Sequence, residues 1–233
     1  MKIIFYNIIE AVSATNEDAS FLAENILEAH SKKRFKSTTH SSTITLTMGG
    51  GSNALALYNI QADDITLSGD VSDSVNLVHN DGYGEYQATS AFFEYNEIAA
   101  THTINVELSA ESNDVALGIA FGGKAYNFTN PRWGMTNNST SHSIIYDLDN
   151  GFEYIFQRNL SETPALDFAL STETEYWNLL RLLKNSYPNP ILVKIDEMES
   201  HNLIWYARLE DTPKGSLSTF GHYTINFNIK EFL

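Results

Sequence analysis

The chain has no cysteine in its 233 residues. That removes disulfides, thiol nucleophiles and cysteine-based zinc sites from consideration. It has no run of about 18 apolar residues, the length needed to cross a bilayer as a helix. Positive charge is scarce: 14 Lys and Arg stand against 29 Asp and Glu, a formal net charge of −15. A surface that acidic repels phosphate backbones, so no nucleic-acid partner is expected. Zinc-helix spacings are missing as well. The histidines His30, His40, His79, His102, His142, His201 and His222 form neither H-x-x-x-H nor H-E-x-x-H. No cofactor and no metal site is expected.

What remains is the composition of a folded β protein, with 42% hydrophobic and 18% charged residues, outside the disordered range. The dominant period is two. Ile44, Leu46 and Met48 alternate with Thr43, Thr45 and Thr47; Ile104, Val106 and Leu108 alternate with Thr103, Asn105 and Glu107. Half-buried strands make this pattern, because successive side chains point to opposite faces of a sheet. Val115, Leu117, Ile119 and Phe121 share a face opposite the small Ala116, Gly118 and Ala120. Turn residues separate the runs at Gly69-Asp70, Asn80-Asp81-Gly82 and Ser112-Asn113-Asp114. Strands this short and closely spaced predict a sandwich or jelly roll. Met1 to Ile9 is broken by Tyr6 and Asn7 and is expected as a first strand rather than a secretion signal.

Residues 126–140 are polar and turn-rich and are expected as a crossing between a unit at 1–125 and one at 141–233. In the second unit, Ser143–Leu148 and Phe152–Arg158 flank Asn150-Gly151, a strong hairpin signal. Thr172 and Glu175 form a capping box ahead of an apolar stripe of Tyr176, Leu179, Leu180 and Leu183. Pro188 and Pro190 end that helix, and strands at 191–195, 203–209 and 223–229 finish the chain.

Candidate chemistry is thin. Asp147 to Gly151 mimics the start of a calcium loop but lacks its closing bidentate Glu. Asp63, Asp64, Asp70, Asp73 and Asp81 fall in or beside turns, where carboxylates normally cap backbone; glycoside hydrolysis needs two held at a set separation. Gly49-Gly50-Gly51 lacks the Lys-Ser/Thr of a phosphate loop and reads as a strand connector. No catalytic residue is assigned, and the chain is expected not to be an enzyme. Two groups remain as candidate interface or glycan contacts. Lys32, Lys33 and Arg34, with Lys36, form the basic cluster of an acidic chain, an electrostatic dock or a solvated loop. Tyr83, Tyr86 and Trp133 lie in expected loops, where aromatics stack on sugars, anchor partners or plug the sandwich end.

Residues 20–60 carry a further pattern. Ser20-Phe21 leads to Asn25-Ile26-Leu27, then Phe35-Lys36-Ser37, the strand Thr43–Met48 and the run Leu55-Ala56-Leu57. In that order they resemble the front of a galactose-binding-like (discoidin-type) jelly roll from structural proteins of tailed bacteriophages. Asn25-Ile26-Leu27 stand for an Asn-Leu-Leu element and Phe35-Lys36-Ser37 for Trp-Arg-Ser. The helix around Trp177, Pro190-Ile191-Leu192-Val193, Trp205 to Leu209 and Ile225 to Glu231 are similar to the C-terminal part of such proteins. The resemblance implies a mainly β chain: an N-terminal jelly-roll sandwich, then a smaller β-rich unit with one helix. It further implies a non-enzymatic virion component near the tail or tail-fibre attachment region, made in the host cytoplasm. Its partners would be other virion proteins in a symmetric homo- or hetero-oligomer. The alternative is a carbohydrate-binding module recognising host-surface glycans.

Overall fold

The computed structural model describes residues 1–28, 33–80, 85–128, 136–141, 144–147, 153–156, 160–170, 172–196, 202–217 and 223–231. In chain order the strands are β1 (Lys2–Ile4), β2 (Ile9–Ala14), β3 (Phe35–Lys36), β4 (Ser41–Met48), β5 (Ser52–Gln61), β6 (Asp64–Gly69), β7 (Asp73–Asn76) and β8 (Val78–Asn80). They continue with β9 (Glu85–Gln87), β10 (Ser90–Ile98), β11 (His102–Ser109), β12 (Ala116–Gly123), β13 (Ala125–Asn127) and β14 (Thr136–Ser141). The rest are β15 (Ile144–Asp147), β16 (Glu153–Phe156), β17 (Leu160–Leu170), β18 (Ile191–Asp196), β19 (Asn202–Leu209), β20 (Lys214–Leu217) and β21 (Tyr223–Glu231). Helix α1 spans Glu173–Ser186, and a 3-10 turn covers Ala23–Leu27. The chain is mainly β, and α1 is its one α-helix among the described residues.

The contacts divide the chain into two units. One holds residues 2–127 together with 191–206; the other holds residue 1, 128–190 and 207–233. Residues 191–206, read from sequence as part of the C-terminal unit, therefore group with the N-terminal one. The reason is strand pairing: β18 lies antiparallel to β1, with Ile3 opposite Val193. The segment 126–140, read as a crossing, carries the end of β13 and the start of β14.

The larger unit is a sandwich. One sheet runs β2-β4-β11-β6-β7 and the other β10-β5-β12-β3. Ile44, Leu46 and Met48 from β4 and Ile104, Val106 and Leu108 from β11 are fully buried, and they meet Leu55, Leu57, Phe93 and Leu117 from the second sheet. Each such aliphatic side chain contributes roughly 1.5–3 kcal/mol by leaving water. On the outer face Thr45 and Asn105, opposite each other in register, share a 2.9 Å hydrogen bond. β12 is buried at every residue, because its outer face is covered too: Phe121 packs 5.6 Å from Tyr206. Val115, Leu117 and Ala120 join the core between the sheets while Phe121 meets Tyr206, so the four large residues do not share one face as their alternation predicts. The Gly49-Gly50-Gly51 connector joins β4 to β5. A Cβ on Gly50 would fall 2.2 Å from the Ala99 carbonyl oxygen, so only glycine lets the backbones approach there.

In the smaller unit β17 lies between β14 and β21, and β20 also pairs with β21. Phe168 and Phe227 stack at 5.4 Å. Thr172 caps α1, its hydroxyl accepting the Glu175 N–H at 3.2 Å. The buried stripe of α1 is Tyr176, Leu179, Leu180 and Leu183, as its spacing predicts. β15 and β16 pair from Ile144–Phe156 to Asp147–Glu153, which is the expected hairpin; its turn lies outside the described residues.

Candidate functional site

The larger unit carries an open cavity of about 640 Å³, lined by Asp70, Val71, Ser72, Glu94, Tyr95, Asn96 and Ile98. Two segments build it. The first is the turn from β6 to β7, at one edge of the five-stranded sheet; the second is the end of β10, the edge of the other sheet. The turn is set by Gly69, whose φ of +98° is a left-handed conformation natural to glycine. Asp70 is then pinned to β11: its backbone N–H donates to the Thr103 carbonyl at 3.1 Å, and its Oδ2 accepts the Thr103 N–H at 2.8 Å.

The lining is amphipathic. Val71 is buried, and Tyr95 and Ile98 are half-buried, which gives an apolar floor. Asp70, Ser72, Glu94 and Asn96 are exposed and give a polar rim. Glu94 is held by an ion pair with Lys2 Nζ. Ser72 and Asn96 spend no side-chain hydrogen bond among the described residues, so their donors and acceptors remain available to a ligand.

Tyr95 is anchored from below. Its hydroxyl lies 2.8 Å from Ser52 Oγ. Ser52 Oγ lies 3.1 Å from His102 Nε2, and His102 Nδ1 lies 3.1 Å from the Ala100 carbonyl oxygen. A carbonyl can only accept, so the His102 Nδ1–H donates to Ala100. The Tyr95 hydroxyl also lies 3.5 Å from the Ala54 carbonyl oxygen, to which it donates. Burial pushes the Tyr95 hydroxyl above its ordinary range, partly offset by the hydrogen bond to Ser52. Ser52 and His102 do not form a hydrolytic pair. Ser52 is 0% exposed, out of reach of a substrate, and the second imidazole nitrogen meets a carbonyl where a triad has a carboxylate.

Of the candidates from sequence, the described Lys33 and Arg34 do not line this cavity. Lys33 forms an exposed ion pair with Glu28 at 2.6 Å. Arg34 is half-buried, and its backbone carbonyl accepts the Asn25 side-chain amide at 3.2 Å. Lys32, Tyr83 and Trp133 lie outside the described residues. Tyr86 stands in β9 opposite His79; its side chain is outside them too. Of the turn acids, Asp63 accepts the Gln87 amide and the Glu111 N–H, Asp64 accepts from Asn76 and Asp73 from the Ser74 N–H. These are backbone and turn caps, not an acid–base pair; Asp81 lies outside the described residues. Sequence reasoning singled out Asp70 only as one of these acids, and missed Ser72, Tyr95, Asn96 and the Ser52–His102 pair.

Among the described residues no group of three His, Cys, Asp or Glu gathers to hold a metal, and no helix is long and apolar enough to cross a membrane.

No family model matches the sequence, and no curated protein matches it. Among solved structures the chain is similar to a mutant of chitosan-binding module 1 derived from the chitosanase/glucanase of Paenibacillus sp. IK-5. The identity is 12% and the TM-score 0.37, over 50% of this chain and 97% of that one. It is also similar to a mutant of the lectin binding domain of Lectinolysin complexed with Lewis b, at 11% identity and a TM-score of 0.36, over 51% of this chain and 96% of that one.

Proposed function

We propose that this protein is a non-catalytic glycan-binding β protein, and that the cavity between the β6–β7 turn and β10 is its binding site. The observation that supports this is the lining itself. An aromatic and two aliphatic side chains form the floor, while Ser72 and Asn96 offer unspent hydrogen bonds at the rim. A sugar ring presents the matching surface, an apolar C–H face and a girdle of hydroxyls. Among the described residues lining the cavity none pairs a nucleophile with a base, and binding rather than turnover is the chemistry offered. Host-surface glycans are the class of ligand. The test is a glycan array probed with wild-type protein and with the double variant Ser72→Ala/Asn96→Ala. Recognition by the wild type that the double variant loses supports the reading; equal array profiles reject it.

A second reading is favoured by the residue 20–60 pattern: a structural component of a tailed-phage virion, in the tail or tail-fibre region, assembled as a symmetric oligomer. It is compatible with the first, since a virion protein that carries a glycan site serves attachment. Mass spectrometry of gradient-purified particles checks it. The chain at fixed stoichiometry supports a virion role, and its absence from clean particles rejects one.

A further inference from the structure

The cavity of the larger unit is lined unevenly in charge. Asp70 and Glu94 bring two carboxylates to it, and no Lys, Arg or His is among its lining residues. Glu94 is balanced, because Lys2 Nζ on β1 pairs with it. Asp70 differs: its Oδ2 accepts the Thr103 N–H at 2.8 Å, and among the described residues no cation pairs with its carboxylate. Asp70 is exposed, so Oδ1 keeps its lone pairs for a ligand. A carboxylate only accepts hydrogen bonds, so the ligand has to bring the donor. A charged donor such as an ammonium makes a bond roughly twice as strong as a neutral hydroxyl does. The rest of the chain acts in the same sense. Its acidic residues outnumber the basic ones by 29 to 14, a field that draws cations in and turns anions away.

β10 adds an aromatic floor to this carboxylate. Its pairing with β5 slips after Glu94: Glu94 stands opposite Ala54, and Ile98 opposite Ser52. Four steps along β10 thus match two along β5, and the surplus residues leave the ladder. Such bulges re-aim side chains at sheet edges. Tyr95 and Asn96 fall inside this one, and both line the cavity. The Tyr95 ring packs edge-on to His102 at 6.1 Å, which fixes its plane. A ring face attracts a cation as well as the C–H face of a sugar. We infer, resting on the reading of this cavity as a glycan site, that it selects its sugar by charge. The occupant is an amino-sugar residue, its ring over Tyr95 and its ammonium at Asp70, and acidic sugars are turned away.

The test is a titration of the full chain with glucosamine, glucose and glucuronate, three pyranoses that differ in charge. Amide chemical shifts at 70–72 and 94–98 are read at about pH 6, below the ordinary range of an amine. Glucosamine is expected to bind at least about tenfold more tightly than glucose, with glucuronate the weakest. Raising the salt concentration narrows the gap. Asp70→Asn removes the charge and keeps an oxygen for the Thr103 N–H, so it should bring glucosamine down to the level of glucose and leave glucose unchanged. Ser72→Ala should weaken both alike and preserve their ratio. A thermal melt confirms that each variant folds, and the comparison of sugars on the wild type stands without them. Glucose or glucuronate binding as tightly as glucosamine, or a preference that survives Asp70→Asn, overturns the charge selection while the glycan reading stands. If none of the three moves these amides the inference fails, and the glycan array alone decides the broader reading.

Discussion

Tyr95 is the residue on which the binding surface turns. Its ring faces the cavity and its hydroxyl is the outer end of a buried chain through Ser52 to His102. Ser52→Ala removes the middle of that chain and leaves a buried imidazole nitrogen and a phenol without their partner. The expected cost is about 1–3 kcal/mol, read as a lower urea midpoint with an unchanged slope; a shift within error contradicts the arrangement. Alkali tests the same region. Burial raises the ionisation of both Tyr95 and Tyr206 in the folded chain. The unfolded chain therefore releases these protons first, near pH 10, while the folded chain still holds them. Stability contributed this way is complete below that pH and declines above it. Tyr206→Phe has no such proton to lose, so its stability should fall less steeply between about pH 9 and 11. Parallel curves for wild type and variant would show that Tyr206 does not drive the alkaline loss.

At the scale of elements, the β6–β7 turn couples fold and site most tightly. A Cβ at residue 69 would sit 2.8 Å from the Thr103 carbonyl oxygen, on a backbone with φ of +98°. Gly69→Ala should cost at least about 1–2 kcal/mol and displace Asp70 and Ser72 with it. Equilibrium unfolding and ligand titration should report both losses together; a stable variant with reduced binding would show that the turn can move without strain. The strands that support this turn were legible in the sequence. β4, β6 and β11 each have one face in the core and one toward water, so burial writes itself as a period of two. α1 was legible for a similar reason, through its cap and its 3-4 stripe. β20 was missed because Lys-Gly-Ser-Leu carries no alternation. β18 was found as a strand, but nothing local says that Leu192 pairs with Ile4, across most of the chain. The cavity was illegible for that reason too. Asp70–Ser72 and Glu94–Ile98 lie on different sheets, and only the closure of the sandwich brings them together. Aromatics in expected loops drew the attention that Tyr95, inside a strand, did not.

At the scale of the whole molecule, an acidic chain without cysteine stabilises itself by packing. The outcome in the larger unit is a sandwich whose core draws on both sheets and whose edges meet at an amphipathic cavity. The claim at the centre is that this cavity, and not the basic segment or the loop aromatics, receives a glycan. Backbone amide shifts, mapped residue by residue during titration with an oligosaccharide that the array identifies, test it most directly. The account predicts that amides of Asp70 to Ser72 and Glu94 to Ile98 move together and saturate with one affinity, and that Ser72→Ala/Asn96→Ala abolishes the movement. Saturating shifts confined to Lys33–Lys36 or to other loops, with 70–72 and 94–98 still, would contradict it.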